Sequence, residues 1–438
     1  MQAVAKNVRQ GVNALHGSTA VLGASLKKVF ASSASLPAEA EINESYVQSQ
    51  LGYVSDAHKV TAPSMLQAPD YLLMGPGPSN PYPRAETAMS RSIIAHMSPY
   101  CYSIMDEIQE GLKYVLQTES KYTFGLSASG GAAMETTVAN LMEPGDKAVI
   151  SVAGIWGERF AEKVRRKGGI AITLDKESGE TLSFEEIKAA VEEHKPKVFF
   201  TTHGESSSGT RQNLEGVGEL CAANGTLLAV DTVCTLGGEP FFTDKWGVDV
   251  VYSGAQKCIG CPPGLSPMSF SEKAIEAVKA RKTPVDSFSF DILEVGKQWG
   301  MFGDARPYHH TPPVNILFAM REALNIMAEE GLQASWERHN ACHNQLWAGL
   351  SELGLKPFVE KAEDRLSTVN CIAVPEGVDA AVLIKHAFDK HKLEISGGLG
   401  RTAGKIWRIG LMGYNCTPRN VDSVIAAFKS GLKEQGYL

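Results

Sequence analysis

The sequence predicts an α/β fold in which a large domain, built on a mainly parallel sheet flanked by helices, precedes a smaller C-terminal α+β domain. Two observations carry this reading. Short apolar runs rich in β-branched residues recur as "KAVISVAG" (147–154), "IAITL" (170–174), "KVFFTTHG" (197–204), "TLLAVDTV" (226–233) and "VDVVYSG" (248–254). Helical stretches such as "FEEIKAAVEEHK" and "LEGVGELCAANG" separate several of them. Strands apolar on both faces and joined by helical crossovers belong to a parallel sheet covered on both sides.

The elements follow in chain order. Residues 1–38 carry Lys6, Arg9, Lys27 and Lys28, no acidic residue, and Val4, Val8, Val12 and Leu15 at helical spacing. A cationic, acid-free, serine-bearing start of this kind resembles a mitochondrial presequence, with a disordered arm as the alternative. Residues 1–45 are therefore set aside and 46–70 read as an N-terminal arm. The large domain spans 71–330, closing with a helix from Asn315 to about Glu330 that follows "YHHTPPV". The small domain spans 331–438, where "STVNCIAVP", "LEISGG" and "KIWRIGLMG" alternate with helices up to 433.

Composition excludes several classes. The chain has 438 residues, 43% hydrophobic and 21% charged, with a net charge of -7. It carries no basic block interleaved with aromatics, so nucleic acid is not expected as a partner. No apolar run approaches the roughly 18 residues that span a bilayer, so no membrane partner is expected either. The eight cysteines lack framework spacing and read as reduced thiols.

In open α/β sheets ligands bind beyond the carboxyl ends of the strands. Trp156, Ser206, Asp231 and Lys257 stand at such ends. Lys257 has no charged neighbour between Asp249 and Glu272, and an amine isolated beside apolar sequence is one whose pKa and nucleophilicity matter. Asp231 interrupts an apolar run, either as a cap for the next turn or as a carboxylate aimed at a cation. "LSASGGAAMETTVANLM" joins a strand end to a helix start, so the amides of residues 129–132 can face an anion. Anion cradle, carboxylate and amine together match the phosphate, ring nitrogen and aldehyde carbon of pyridoxal 5'-phosphate, with Trp156 as a flat surface for the ring.

The sequence resembles the alanine:glyoxylate (serine:pyruvate) aminotransferases, class-V pyridoxal-phosphate enzymes of fold-type I. Ordered matches run from about Leu72 to Lys433, among them "GPGPSN", "EPGD", "GIWGERF", "THGESSSG", "VDTVCTLGG", "YSGAQK", "YHHT", "GGLG" and "RIGLMG". The resemblance implies that Lys257 bonds the cofactor aldehyde and later moves the substrate proton. It also implies that Asp231 holds the ring nitrogen, Trp156 stacks on the ring and Ser206 lies near its hydroxyl. Ser129, Gly130, Gly131 and Gln256 would hold the phosphate, with Tyr308 and Thr311 reaching in from a second copy in a homodimer. Arg408 would take the substrate carboxylate beside the turn from Gly75 to Gly77. Alanine or serine is the expected donor and glyoxylate the acceptor, with other donors such as 3-hydroxykynurenine as the alternative. The expected localisation is mitochondrial, with peroxisome or cytoplasm as alternatives.

Two positions depart from the pattern: Gly131 stands where vertebrate members carry histidine, and "CIGC" at Cys258 and Cys261 replaces small or apolar residues. A class-V desulfurase or lyase would have histidines at the places of Gln256 and Trp156. The "CIGC" pair also admits a redox or zinc protein, but it lacks a second ligand pair, and no metal is expected. His309 and His310 read as structural or interface residues.

Overall fold

The computed structural model describes residues 45–53, 66–303 and 305–438, in a chain that divides into two compact units, 1–69 and 70–438. The proposed presequence lies outside the described residues. In the first unit, residues 45–50 are helical and Leu51–Tyr53 form a short 3-10 turn.

The second unit holds a seven-stranded sheet. Its strands are β1 (Thr123–Leu126), β2 (Lys147–Val152), β3 (Ile170–Asp175), β4 (Val198–Thr202), β5 (Leu227–Asp231), β6 (Val250–Tyr252) and β7 (Ser266–Phe270). Their spatial order is β1-β7-β6-β5-β4-β2-β3. The five runs read from the sequence form β2 to β6, and every pair among them is parallel. β7 is the antiparallel member of this mainly parallel sheet, running antiparallel to both β1 and β6. Such an insertion needs no helical crossover between neighbours, which is why short local patterns do not announce it.

β4, β5 and β6 are buried along their length because helices cover both faces. Phe200 of β4 stacks on Phe160 of the helix Ile155–Arg166 with ring centroids 3.7 Å apart. Both are fully buried, and a phenylalanine of this kind contributes roughly 1.5–3 kcal/mol through burial alone. This core fixes where the carboxyl ends of the strands stand.

A second apolar cluster surrounds the antiparallel sheet of Val369–Ala373, Ile406–Gly410 and Ser396–Gly397. Trp407, Phe428, Leu346 and Leu383 fill it from that sheet and from the helices Pro418–Glu434, Leu332–Glu352 and Ala380–His391. Met74 is buried in the same cluster, and Leu72–Leu73 pairs in parallel with Leu393–Glu394. The start of the unit is thereby tied to its C-terminal layer. The glycine turn that follows is carried to the edge of the large sheet, where Ser79 N donates to Gln256 O at 2.9 Å.

Candidate active site

Five loops leave the carboxyl ends of the large sheet and meet around a cavity of about 120 Å³, lined by Ser129, Gly130, Gly131, Trp156, Ser206, Asp231, Gln256 and Lys257 together with Met134, Gly204, Val233 and Cys234. Eight of these residues are the ones the sequence singles out. Met134, Gly204, Val233 and Cys234 it does not, because small or apolar residues next to a motif carry no chemical signal of their own.

Behind β1, Ser129 caps the helix Gly130–Leu141 by accepting a hydrogen bond from Ala132 N at 3.4 Å. The amides of Gly130 and Gly131 then remain without a partner among the described residues, at the positive end of a helix. A Cβ built on Gly131 would come no nearer than 3.8 Å to Ser129 Oγ. Packing against a Cβ therefore does not demand a glycine there. Gln256 lines the same cavity, its Oε1 lying 3.0 Å from where a Cβ on Gly254 would be.

Asp231 ends β5 and is 4% exposed. Its Oδ1 accepts from Val233 N at 2.7 Å. Burial outweighs that bond and pushes the carboxyl up to about 6. A cationic group brought against it would reverse the balance.

Lys257 follows in the turn after β6, which itself stops at Tyr252. Its Nζ donates to Pro76 O, and burial pulls the ammonium below the ordinary lysine range. Gly77, at φ +106°, lies flat against this side chain. Only glycine adopts that backbone without strain while leaving the amine room.

Trp156 stands at the second position of the helix Ile155–Arg166. Its indole Nε1 donates to Ser206 Oγ at 2.8 Å, and the Arg159 guanidinium lies 4.8 Å from its ring. The Ser206 carbonyl accepts from Arg408 Nη1 at 3.1 Å, and Gly397 O accepts from Arg408 Nε at 2.7 Å. Arg408 is 8% exposed, and burial lowers its pKa from the ordinary value. Gly410, on the same strand, packs against Gly75 so closely that a Cβ there would strike Gly75 O. The guanidinium and the glycine turn are thus held side by side.

Tyr308 and Thr311 do not line this cavity. Tyr308 is 58% exposed, and its hydroxyl lies 3.5 Å from Thr311 Oγ1. The segment is anchored through its histidines: His310 Nε2 is 2.7 Å from Ser127 Oγ, His309 Nδ1 is 2.7 Å from His310 Nδ1, and His309 Nε2 is 3.0 Å from Phe288 O. The carbonyl end requires His309 Nε2 to donate, so in the neutral pair His310 donates through Nδ1 and accepts from Ser127. These contacts account for both rings structurally. Cys258 and Cys261 are buried and unpaired, and burial pushes both thiols up, Cys258 to about 12. Such thiols are chemically inert.

In sequence Glu205 barely stands out; in the fold it is 1% exposed and accepts a hydrogen bond from Trp156 N at 3.1 Å. Its one signal is an acidic residue inside the small-residue run "HGESSSG".

Free amides at a helix start, a buried carboxylate, a desolvated amine and an indole face suit one molecule with an anionic arm, a basic ring nitrogen and an aldehyde. That molecule is pyridoxal phosphate, and the fold with this cavity defines a pyridoxal-phosphate-dependent enzyme of fold-type I. Within that class the chain belongs to the class-V aminotransferases, whose family pattern matches residues 80–424. It is 44% identical over 380 residues to an alanine–glyoxylate aminotransferase of Drosophila melanogaster, covering 86% of this chain and 96% of that one. To the rat protein of the same name, from Rattus norvegicus, it is 45% identical over 368 residues, 84% of this chain and 89% of the relative. The solved structure of an alanine–glyoxylate aminotransferase from Nostoc sp. superimposes with a TM-score of 0.84 at 44% identity, covering 86% of this chain and 99% of that one.

Proposed function

We propose that this aminotransferase moves the amino group of alanine or serine to glyoxylate, giving glycine and pyruvate or hydroxypyruvate in two half-reactions. The observation that carries this reading is the state of Arg408. Its Nε and one Nη1 hydrogen are committed to Gly397 O and Ser206 O. One edge of the guanidinium is left, enough for a single carboxylate held by two hydrogen bonds. Among the described residues Lys257 is the sole basic side chain lining the cavity, and Arg408, outside that lining, is joined to it through the carbonyl of the lining residue Ser206. A second carboxylate, as in glutamate, would lose water without gaining a partner. The names carried by the fly, rat and cyanobacterial relatives support the same choice.

When bound, pyridoxal phosphate supplies an electron-withdrawing ring and an aldehyde carbon that can carry the amino group. The residues do the rest. The Gly130 and Gly131 amides with Gln256 hold the phosphate, and Trp156 supports the ring. Asp231, ionised against a protonated ring nitrogen, contributes roughly 1.5–3 kcal/mol as a charge-assisted bond. Lys257 Nζ, lowered by burial, takes the proton from the substrate Cα and returns it. Arg408 fixes the carboxylate so that this proton faces Nζ. A donor panel at saturating glyoxylate tests the reading: glycine forms readily from alanine and serine and poorly from glutamate. Glutamate as the best donor refutes it.

The exposed Tyr308 and Thr311 fit a homodimer in which each copy completes its neighbour's phosphate site. Mixing inactive Lys257→Ala chains with inactive Tyr308→Ala, Thr311→Ala chains then restores activity, and heterodimers that stay inactive refute the shared site. The acid-free start of the chain supports mitochondrial import, where the enzyme removes glyoxylate and forms glycine. A reporter carrying residues 1–50 that stays in the cytosol refutes that.

A further inference from the structure

Among the described residues the carboxylate of Glu205 has no basic partner, yet it is buried and both its oxygens accept hydrogen bonds. Its Oε1 accepts from Ser207 N at 3.0 Å and from Ser207 Oγ at 2.6 Å, and its Oε2 accepts from Trp156 N at 3.1 Å. Ser207 Oγ in turn accepts from Ile155 N at 3.1 Å. Helix Ile155–Arg166 begins at Gly154, which offers no side-chain cap. Glu205 and Ser207 thus cap it from another loop, taking the amides of its first two residues at the positive end of the helix.

Ser206, between them, ties in two further groups. Its hydroxyl accepts from the Trp156 indole and its carbonyl from Arg408. One tripeptide therefore holds both the backbone and the ring edge of Trp156, and one arm of the guanidinium. An independent sign that this arrangement is built is Gly154. Its backbone is extended at φ 171°, which any residue adopts, yet a Cβ there would lie 2.6 Å from Glu205 Cδ and would strike Ser207 Oγ. The glycine is required by the cap and not by the backbone.

We propose that Glu205 is a positioning residue of this active site, setting the height and tilt of the Trp156 platform and the aim of Arg408 through the Glu205–Ser207 clamp. The inference rests on the pyridoxal-phosphate site described above. Burial pushes the carboxyl up to about 7 against the pull of its three donors, so the group holds its place at a cost that packing alone would not require. A neutral glutamine would turn an amide NH2 toward Ser207 or Trp156, both donors, and release one of them without leaving a cavity.

The test compares wild type, Glu205→Gln and Gly154→Ala by titrating cofactor-free protein with pyridoxal phosphate, reading absorbance and visible circular dichroism of the bound ring. Loss of one charge-assisted hydrogen bond predicts an increase in Kd of about tenfold. Altered dichroism and a raised KM for alanine accompany it, while the thermal midpoint with saturating cofactor changes little. Gly154→Ala reproduces the phenotype from the other side of the contact, and carries the test if Glu205→Gln does not fold. Wild-type Kd, dichroism and KM in a folded Glu205→Gln or Gly154→Ala protein overturn the inference. Wild-type protein that binds no pyridoxal phosphate overturns the site assignment itself.

Discussion

Replacing Gly77 by alanine places one methyl group against the amine on which the account depends. Its Cβ would lie 2.6 Å from Lys257 Cε and closer still to Cδ and Nζ, where ordinary van der Waals contact begins near 3.4 Å. The lysine must move by about 1 Å, away from the place where its amine, free of cofactor, donates to Pro76 O. A displacement of that size at a reacting atom costs about 10²-fold in rate. The φ of +106° adds roughly 1–3 kcal/mol of backbone strain for any residue with a side chain. Both effects act locally, since the turn packs against Lys257 and Gly410 and does not belong to the large apolar core. The assay is single-turnover conversion of alanine by cofactor-loaded enzyme, with the visible spectrum recorded first to show that the protein is loaded. A folded, loaded Gly77→Ala enzyme working within about threefold of wild type would refute the assignment of Lys257 Nζ to the proton transfer.

Two further predictions follow from electrostatics. Arg408→Lys loses the bidentate edge and the bond to Ser206 O, so kcat/KM falls by about 10²-fold for every amino donor alike, measured in steady state; a loss confined to one donor contradicts the carboxylate role. For Asp231 the folded carboxyl titrates near 6 against an ordinary 3.8, so its protonated form contributes stability that is complete below about pH 4 and lost as pH rises through 6. Cofactor-free Asp231→Asn therefore gains up to about 3 kcal/mol over wild type at pH 7 and none near pH 4, read from urea unfolding across that range. Equal stability at both pH values would show that the carboxylate is not desolvated.

Much of this was legible in the sequence, for identifiable reasons. β2, β4, β5 and β6 are apolar runs that a doubly covered sheet buries, β3 is a similar run at the half-exposed edge, and Asp231 and Lys257 stand out against them. β1 is four residues long, and β7 contains Pro267, a residue disfavoured inside a sheet, so neither shows a strand pattern. Pro267 is tolerated because its carbonyl, not an amide, serves the neighbouring segment by accepting from Ser253 N, just after β6, at 2.9 Å. The pairing of Leu72 with Leu393 joins distant segments and leaves no local trace. Glu205 reads as a loop acid, and only the fold shows that the helix start of Trp156 closes over it.

Whether this site accepts only a substrate with one carboxylate is decided by the acceptor specificity of the purified, cofactor-loaded enzyme with alanine as donor. A site with one guanidinium gives kcat/KM for glyoxylate above that for 2-oxoglutarate by on the order of 10²-fold, the cost of an unpaired second carboxylate. If 2-oxoglutarate equals or exceeds glyoxylate, the single-guanidinium site is wrong.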